Sequence, residues 1–266
     1  MIIRKFFGDL FEKKCFGLVF LHGKGYICGL KSNFVVTMKS IFRTLVFFLT
    51  LLVWSTGIAS AQQEHEYVDL ALPSGTLWAT CNIGADNPWD PGDYFAWGET
   101  ASKPNYDWQF YQYADGNYDK LIKYCNNQSF GNDGYTDRLK VLEDADDAAN
   151  AIWGAEWHIP TVEQFKELMD NCTNEWTVSY NGKGVAGRIF KSKKNGNEVF
   201  FPAAGYNGRD GRPTHVGNYG FYWSSSLCME SPSNAPLLYF HSGYVGAFSN
   251  NFRYYGQTMR AVRKIK

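Results

Sequence analysis

Short β-like segments separated by Asn-Gly dipeptides follow Cys172, and this pattern limits the fold more than any other feature of the sequence. Asn181-Gly182 and Asn195-Gly196 each lie between two such segments. Asn-Gly is the strongest short-range signal for a β-hairpin because both residues accept positive φ angles. The sequence therefore predicts antiparallel strands at Trp176–Tyr180, Gly187–Lys191, Glu198–Pro202, Phe221–Ser225, Leu237–His241, Tyr244–Phe248 and Gln257–Val262.

A further hairpin and a long stretch without periodicity precede these strands. Tyr67–Leu72 alternates apolar and polar residues before the turn Pro73-Ser-Gly75, and Thr76–Ile83 resumes the β-like pattern. Residues 84–140 are rich in Gly, Pro, Asn, Asp and Tyr. We expect this stretch to form long ordered loops held in place by aromatic side chains.

Two helices are predicted between the two groups of strands. Asp144–Trp153 has acidic residues in its first turn and is followed by Gly154, a common helix stop. Thr161–Cys172 begins with a capping box in which Thr161 and Gln164 exchange hydrogen bonds. Its apolar stripe consists of Val162, Phe165, Leu168, Met169 and Cys172. Strands at both ends with helices between them predict an α+β fold in which an antiparallel sheet joins the termini.

The first 61 residues have the pattern of a targeting segment. Positive charges at Lys39 and Arg43 precede the apolar run Thr44–Trp54 and the small-residue cleavage site Ala59-Ser60-Ala61. The apolar run is shorter than the roughly 20 residues that a membrane-spanning helix needs. We expect residues 38–61 to be a signal peptide that is cleaved after Ala61.

Cleavage would place residues 62–266 in the periplasm, at the cell surface or outside the cell, as a single domain with no transmembrane helix. No cysteine directly follows the apolar run, so a lipid-anchored lipoprotein is not predicted. Residues 1–37 place the signal peptide internally, which indicates either a mis-called start or an extended n-region.

Charge separates this leader from the rest of the chain. The chain has 26 basic and 26 acidic residues. Residues 1–61 hold eight of the basic and two of the acidic residues, a net charge of +6. The remaining 205 residues therefore hold 18 basic and 24 acidic groups, a balance of −6. An acidic domain without a basic stripe argues against nucleic acid as the partner.

Four cysteines remain after the leader is excluded: Cys81, Cys125, Cys172 and Cys228. An even number of cysteines in an exported domain permits up to two disulfides, in three possible connectivities. We expect one disulfide, whose pairing the spacing does not assign. None of the four has the C-x-x-C spacing of a zinc or redox motif.

Three motifs of the common enzyme and metal-site classes are absent from the sequence, which has no G-x-S-x-G, P-loop or H-E-x-x-H pattern. Asp115-x-Asn117-x-Asp119 matches the first three ligand positions of a calcium loop, but Lys120 occupies the position of the turn glycine. We predict no catalytic residue, no metal site and no cofactor. A calcium site of another kind, built from loop carboxylates, stays an alternative.

Aromatic residues beside amides and acids are the positive signal for binding. Such segments occur at Tyr94–Gly98, Tyr106–Tyr113 and Tyr219–Trp223. Rings stack on the apolar faces of sugars while amides meet the hydroxyls, although buried rings that hold loops on a sheet have the same composition. Our candidate ligand-binding residues are in a Gly-rich polar loop and the second aromatic segment: Tyr206, Asn207, Arg209, Asp210, Arg212, Trp108 and Tyr111.

Seven motifs in order resemble a family of exported bacterial proteins, the Fibrobacter succinogenes major paralogous domain family, which is abundant in gut Bacteroides-type organisms. The resemblance covers about residues 67–264. Its motifs are Leu72-Pro-Ser-Gly-Thr-Leu-Trp-Ala-Thr-Cys-Asn-Ile-Gly84, Asp93-Tyr-Phe-Ala-Trp-Gly-Glu-Thr100, Asp146-Asp-Ala-Ala149, Trp157-His-Ile-Pro-Thr161, Phe201-Pro-Ala-Ala-Gly-Tyr206, Tyr222-Trp-Ser-Ser-Ser226 and Met259-Arg-Ala-Val-Arg263.

This family is similar to the C-type-lectin-like fold shared with formylglycine-generating (sulfatase-modifying) enzymes. The resemblance implies a C-type-lectin-like domain in residues 62–266, but fold alone does not fix activity. The closely spaced cysteine pair of those enzymes is absent, since Cys228 is the only cysteine after Cys172. The Glu-Pro-Asn, Gln-Pro-Asp and Trp-Asn-Asp signatures of calcium-dependent lectins are also absent.

We therefore expect a secreted or cell-surface, non-catalytic binding domain. Its partner would be a glycan or a surface protein, met by loops around residues 84–140 and 206–220. An enzyme related to the formylglycine-generating class is one alternative, and a structural cell-envelope protein without a small ligand is another.

Overall fold

The computed structural model describes residues 64–264, so the expected signal peptide and the segment before it lie outside the described residues. Strand β1 (Tyr67–Asp69) pairs antiparallel with β2 (Thr76–Ala79), as the hairpin pattern predicts. The last strand, β11 (Val262–Lys264), pairs antiparallel with the other edge of β2. The expected sheet between the two ends of the domain is therefore confirmed, in the order β1-β2-β11.

Two α-helices occur within residues 64–264, and the fold is α+β as expected. Helix α2 (Val162–Asn171) has the predicted capping box, in which the Thr161 side chain accepts from the Gln164 N–H and the Gln164 side chain accepts from the Thr161 N–H. Phe165 and Leu168 are fully buried, so the predicted apolar stripe faces the core.

Helix α1 (Ala148–Trp153) begins later than predicted. Asp144–Asp146 forms a separate 3-10 turn, and Asp147 is the residue that caps α1, accepting from the N–H groups of Ala149 and Asn150. The prediction of one helix from Asp144 was wrong because extended backbone at Asp147 interrupts it. Gly154 ends the helix as expected, with a φ of 96°.

The neighbours Asp146 and Asp147 have pKa shifts of opposite direction. Burial raises the pKa of Asp147 to about 6, although backbone N–H groups donate to its carboxylate. Burial acts in the same sense on Asp146, but hydrogen bonds from Lys123 and Tyr124 hold its pKa below the ordinary value. When folding raises the pKa of an acid, the protonated form of that acid stabilises the folded state. When folding lowers the pKa, the ionised form stabilises the folded state.

We expect the Asp147 contribution to the free energy of unfolding to fall by up to about 3 kcal/mol as pH rises from about 4 to about 7. Asp147→Asn should flatten this part of the stability curve, because asparagine does not titrate and still caps a helix. Urea unfolding between pH 4.5 and 7 would measure the difference. Parallel curves for the variant and the wild type would contradict the expectation, and Asp146→Asn should instead remove stability that is present at neutral pH.

Three strands after α2 form the second sheet, in the order β3-β4-β5. They are β3 (Cys172–Thr177), β4 (Gly187–Ser192) and β5 (Glu198–Pro202). Asn181 and Gly182 both have positive φ, as an Asn-Gly turn requires, but they lie within a longer connection than a two-residue hairpin. The predicted strand Trp176–Tyr180 is misplaced, because β3 begins directly where α2 ends.

The third sheet has the order β10-β9-β8 and comprises β8 (Gly220–Trp223), β9 (Asn234–His241) and β10 (Tyr244–Phe252). A short pair, β6 (Tyr206–Asn207) and β7 (Pro213–Thr214), precedes it. The predicted strand Gln257–Val262 was wrong except at its last residue. Gln257–Ala261 forms backbone hydrogen bonds with several different segments, including those of Phe95, Trp223 and Ile83, instead of one partner strand.

Residues 80–143 contain no β-strand and no α-helix, only short 3-10 turns, as the loop prediction for 84–140 implies. Aromatic side chains join this region to the third sheet. The indole of Trp97 donates to the carbonyl of Ser224 at 2.7 Å, and the indole of Trp223 donates to the carbonyl of Phe95 at 2.9 Å. Both tryptophans are fully buried, so the loops share the core of the sheet.

Two fully buried arginines bind main-chain carbonyl groups, and no ion pair involves either within residues 64–264. Arg253 donates to the carbonyl of Tyr124 and lies 4.8 Å from the ring of Trp97. Arg260 donates to the carbonyls of Ala79 and Thr80 and to the side-chain oxygen of Asn82. Burial lowers the pKa of Arg260.

All four described cysteines are free, so the expected disulfide is not present in residues 64–264. Cys172 ends helix α2 inside the core, where burial raises the pKa of its thiol to about 11. Cys125 lies in the loop region, and its thiol donates to the carbonyl of Asn127 at 3.1 Å. Each buried thiol thus packs as a small apolar group.

Candidate functional site

An open cleft lies on one face of the β8–β9–β10 sheet, and the strand register determines which side chains share that face. Phe221 of β8 is opposite Tyr239 of β9, and Leu237 of β9 is opposite Ser249 of β10. Side chains alternate between the faces of a sheet, so Asn251 lies on the same face as Ser249. The opposite face is buried against the core through residues such as Phe240.

The cleft has a volume of about 460 Å³, and we call it the aromatic cleft. Six of the residues that line it carry rings: Tyr206, His215, Tyr219, Phe221, Tyr239 and Tyr255. The others are Leu237, Ser249, Asn250 and Asn251. A concave surface with many rings and a few polar groups is the usual composition of a small-molecule site.

The rings that line the aromatic cleft contact one another. Tyr206 lies 5.2 Å from Phe221 and 5.1 Å from Tyr255, measured between ring centroids. Tyr239 lies 5.2 Å from Phe221, and its ring is stacked with that of Tyr219 at 6.0 Å. Edge-to-face and offset contacts of this kind fix the rings in place, so the surface of the cleft is preformed.

Several polar groups on the aromatic cleft have no protein hydrogen-bond partner within residues 64–264. They are the hydroxyl groups of Tyr206, Tyr219, Tyr239 and Ser249 and the side-chain nitrogen of Asn251. The oxygen of the Asn251 amide is already engaged, since it accepts from the N–H of Phe252 at 2.9 Å. These groups are available to a ligand or to solvent.

No Asp, Glu, Lys or Arg side chain is among the described residues that line the aromatic cleft. Burial raises the pKa of Tyr206, and the nearby Tyr255 adds to the shift. Burial also raises the pKa of Tyr239, with further contributions from Tyr219 and Tyr244. The Tyr206 and Tyr239 phenols are therefore neutral at neutral pH, and none of the described residues that line the cleft carries a permanent charge.

The predicted loop 206–212 meets the cleft at one end only. Tyr206 lines the aromatic cleft, whereas Asn207 is buried and its main chain pairs with that of Gly256. Arg209 is exposed and forms an ion pair with Asp107 at 2.5 Å. Asp210 accepts from the N–H of Arg212 at 3.2 Å, and neither residue lines the cleft.

Of the two predicted aromatic residues from the loop region, neither lines the aromatic cleft. Trp108 is half-buried and packs edge-on against Tyr254, 5.2 Å away. Tyr111 is only 2% exposed, and its hydroxyl donates to the carbonyl of Trp97. Tyr111 is therefore part of the core that holds the loops, and a ligand cannot reach its ring.

The ion pair between Arg209 and Asp107 shows that the structure brings the two predicted segments together. Gly211 strengthens this contact, because its φ is +65° and a side chain there would collide with the carbonyl of Pro104. The loop thus rests on the segment before Trp108. It forms a surface beside the cleft, while most of the cleft itself comes from strands.

Sequence reasoning missed most of the cleft residues, above all Tyr239, Asn251 and Tyr255. The signal that could have found them is alternation along β9, where Leu237, Tyr239 and His241 share a face with Phe221. The aromatic segment Tyr219–Trp223 supplies one side of this face, and its partner strand β9 supplies the other.

The described part of the chain contains neither a metal-binding cluster nor a helix that could span a membrane. No group of three or more His, Cys, Asp or Glu side chains in it could hold a metal ion. Among the described helices, none is both long enough and apolar enough to span a membrane.

Residues 183–263 match a family described as a domain of unknown function, DUF8237. This stretch contains every residue that lines the aromatic cleft. No curated protein and no solved structure matches the chain.

Proposed function

We propose that residues 62–266 form an exported, non-catalytic binding domain of C-type-lectin-like fold, and that its ligand is a glycan held in the aromatic cleft. The α+β architecture with a sheet that joins both ends supports the fold assignment. The seven motifs shared with the major paralogous domain family support export and a place at the cell surface or outside the cell.

The aromatic cleft is the observation that carries the glycan proposal. Its rings form an apolar floor, and the free hydroxyls and the Asn251 amide lie at the same surface. A pyranose ring has apolar C–H faces and a polar edge, so it can stack on Phe221 or Tyr239 while its edge meets the hydrogen-bonding groups. A preformed surface of this kind binds without the cost of ordering loops.

Tyr239→Ala should weaken glycan binding about tenfold or more, because the ring lies in the middle of the aromatic surface and central aromatic contacts dominate binding energy. Binding can be measured by calorimetry with a hit from a glycan array, with and without EDTA. Tyr118→Ala is the matched control, since Tyr118 is an exposed tyrosine that does not line the cleft. A glycan array without any hit would contradict the proposal and favour a protein partner.

Because Tyr239→Ala could also loosen the sheet, a second variant should fill the cleft instead of emptying it. Ser249→Trp places a large ring at the cleft without removing any packed group, and it should block binding while the unfolding midpoint stays close to that of the wild type. Full binding by Ser249→Trp would show that the glycan lies elsewhere.

Export has its own test. Protein recovered outside the cytoplasm should begin at Gln62 by mass spectrometry, since signal peptidases require small residues at the first and third positions before the cut. Ala61→Arg should leave the leader attached, whereas Ser60→Arg, at the permissive position between the two alanines, should still be processed. A mature chain that retains residues 38–61 would exclude the cleavage site.

A further inference from the structure

We propose that the aromatic cleft selects a neutral sugar that carries an acetamido group, that is, an N-acetylated hexosamine. This inference rests on the proposed glycan function and names its ligand class.

The side-chain nitrogen of Asn251 is an available polar group of the aromatic cleft that donates without accepting. The Asn251 oxygen is held by the N–H of Phe252, which leaves the side-chain NH₂ group as the free part of that amide. The hydroxyls of Tyr206 and Tyr239 have no protein partner in residues 64–264, and each can donate one proton.

No acceptor-only group faces these donors. Carboxylates accept hydrogen bonds without donating, and no Asp or Glu lines the aromatic cleft among the described residues. A sugar hydroxyl both donates and accepts, and its proton finds no acceptor in the Asn251 NH₂ group. An acetamido carbonyl only accepts, and it therefore matches the Asn251 NH₂ and the tyrosine hydroxyls.

The methyl group of the acetamido substituent can pack against an apolar surface of the aromatic cleft. An acetamido methyl group needs a surface without polar atoms, and the ring of Phe221 supplies one on the cleft face beside Tyr239. Burial of such a methyl group against the ring stabilises the complex.

Charged sugars fit this site poorly. No Lys or Arg lines the aromatic cleft within the described residues, so a uronate, sialate or sulfate group would lose water without gaining a permanently charged cationic partner. The neutral phenols do not supply one either. Binding should accordingly change little between about 0.05 and 0.5 M salt.

Glycans that differ only at one substituent would test the inference on an array at neutral pH. The terminal residues should be N-acetylglucosamine against glucose and N-acetylgalactosamine against galactose, together with acidic versions of each. We expect at least tenfold tighter binding to the acetamido member of one pair. Equal binding of both members, or a preference for acidic glycans, would overturn the inference and leave the glycan function in place. An array without hits would contradict both the acetamido inference and the proposed glycan function.

Asn251→Asp gives an independent readout, since it keeps the shape and the oxygen that accepts from Phe252 but replaces the NH₂ donor by an acceptor. It should reduce the acetamido preference to about threefold or less. Asn117→Asp is the matched control, because the Asn117 oxygen also accepts from the N–H of the next residue, Tyr118, and Asn117 does not line the cleft. Undiminished preference in Asn251→Asp would overturn the assignment of the donor.

Discussion

Arg260→Met should lower the free energy of unfolding by about 2–4 kcal/mol. The substitution removes the donors for the carbonyls of Ala79 and Thr80 and for the side chain of Asn82, and Ala79 and Asn82 are fully buried. It also removes a cation that lies 4.6 Å from the ring centroid of Phe201. Part of this cost is offset, because the variant no longer buries a cation that lacks a carboxylate partner. Methionine, however, donates to none of the acceptors that Arg260 leaves without a partner.

Urea denaturation would measure the effect, and Arg263→Met provides the comparison on the same terminal segment. Arg263 forms a half-exposed ion pair with Glu156, a type of contact that contributes about 1 kcal/mol or less. If Arg260→Met proved as stable as the wild type, the cost of burying the guanidinium would equal the value of its hydrogen bonds, contrary to our expectation.

Trp97→Ala should destabilise the domain by about 3–5 kcal/mol, the usual cost of deleting a large buried ring. Trp97 is fully buried, donates to the carbonyl of Ser224, and packs against the ring of Tyr124 at 5.1 Å. It therefore holds the long loops on the third sheet. Hydrogen exchange should become faster mainly in residues 94–142, while the amides of the β3–β5 sheet change less.

Trp97→Phe separates the two roles of the side chain, because it keeps a ring but loses the hydrogen bond to Ser224. We expect it to cost less than the alanine variant. Trp89→Ala is the matched control within the same loop region, since Trp89 is half-buried and stacks only with the Lys183 ammonium group among the described ring contacts. A uniform rise in hydrogen exchange across all sheets would show that the loops and the sheets unfold as one unit.

Local signals predicted the parts of the fold that local forces determine. The capping box of Thr161 and Gln164 lies within four residues of the sequence. The apolar stripe of helix α2 follows from helical spacing, so the sequence alone locates this helix. The Asn195-Gly196 turn and the Pro73–Gly75 turn likewise identify their hairpins. The sheet that joins the two ends follows from strands at both ends of the domain.

The sequence could not predict the parts of the fold that depend on hydrogen bonds between residues far apart in the chain. Gln257–Ala261 resembles a strand locally, but its backbone bonds to Phe95, Trp223 and Ile83, which are far away in the chain. The same holds for Arg260, whose carbonyl partners lie about 180 residues earlier. Nothing near Arg260 in the sequence distinguishes it from Arg263, which is partly exposed.

For the candidate site, the sequence indicated aromatic residues beside amides but could not sort them by burial. Tyr111 and Tyr206 stand in similar surroundings in the sequence, yet Tyr111 is inside the core and Tyr206 lines the cleft. The register of β8 against β9 forms the cleft face by placing Phe221 opposite Tyr239, and the Tyr206 ring packs against Phe221 there. A one-residue shift would have turned these rings to the other face.

The order β1-β2-β11 gives the domain a direction of mechanical strength. Both outer strands run antiparallel to β2, so they run parallel to each other, and Tyr67 pairs with Ala79 while Lys264 pairs with Thr76 at the other end of β2. A force that pulls Tyr67 and Lys264 apart would therefore load the hydrogen bonds on both sides of β2 in shear. Bonds perpendicular to the load must break together, so a domain anchored through its ends resists tension better than one that unzips from a single edge.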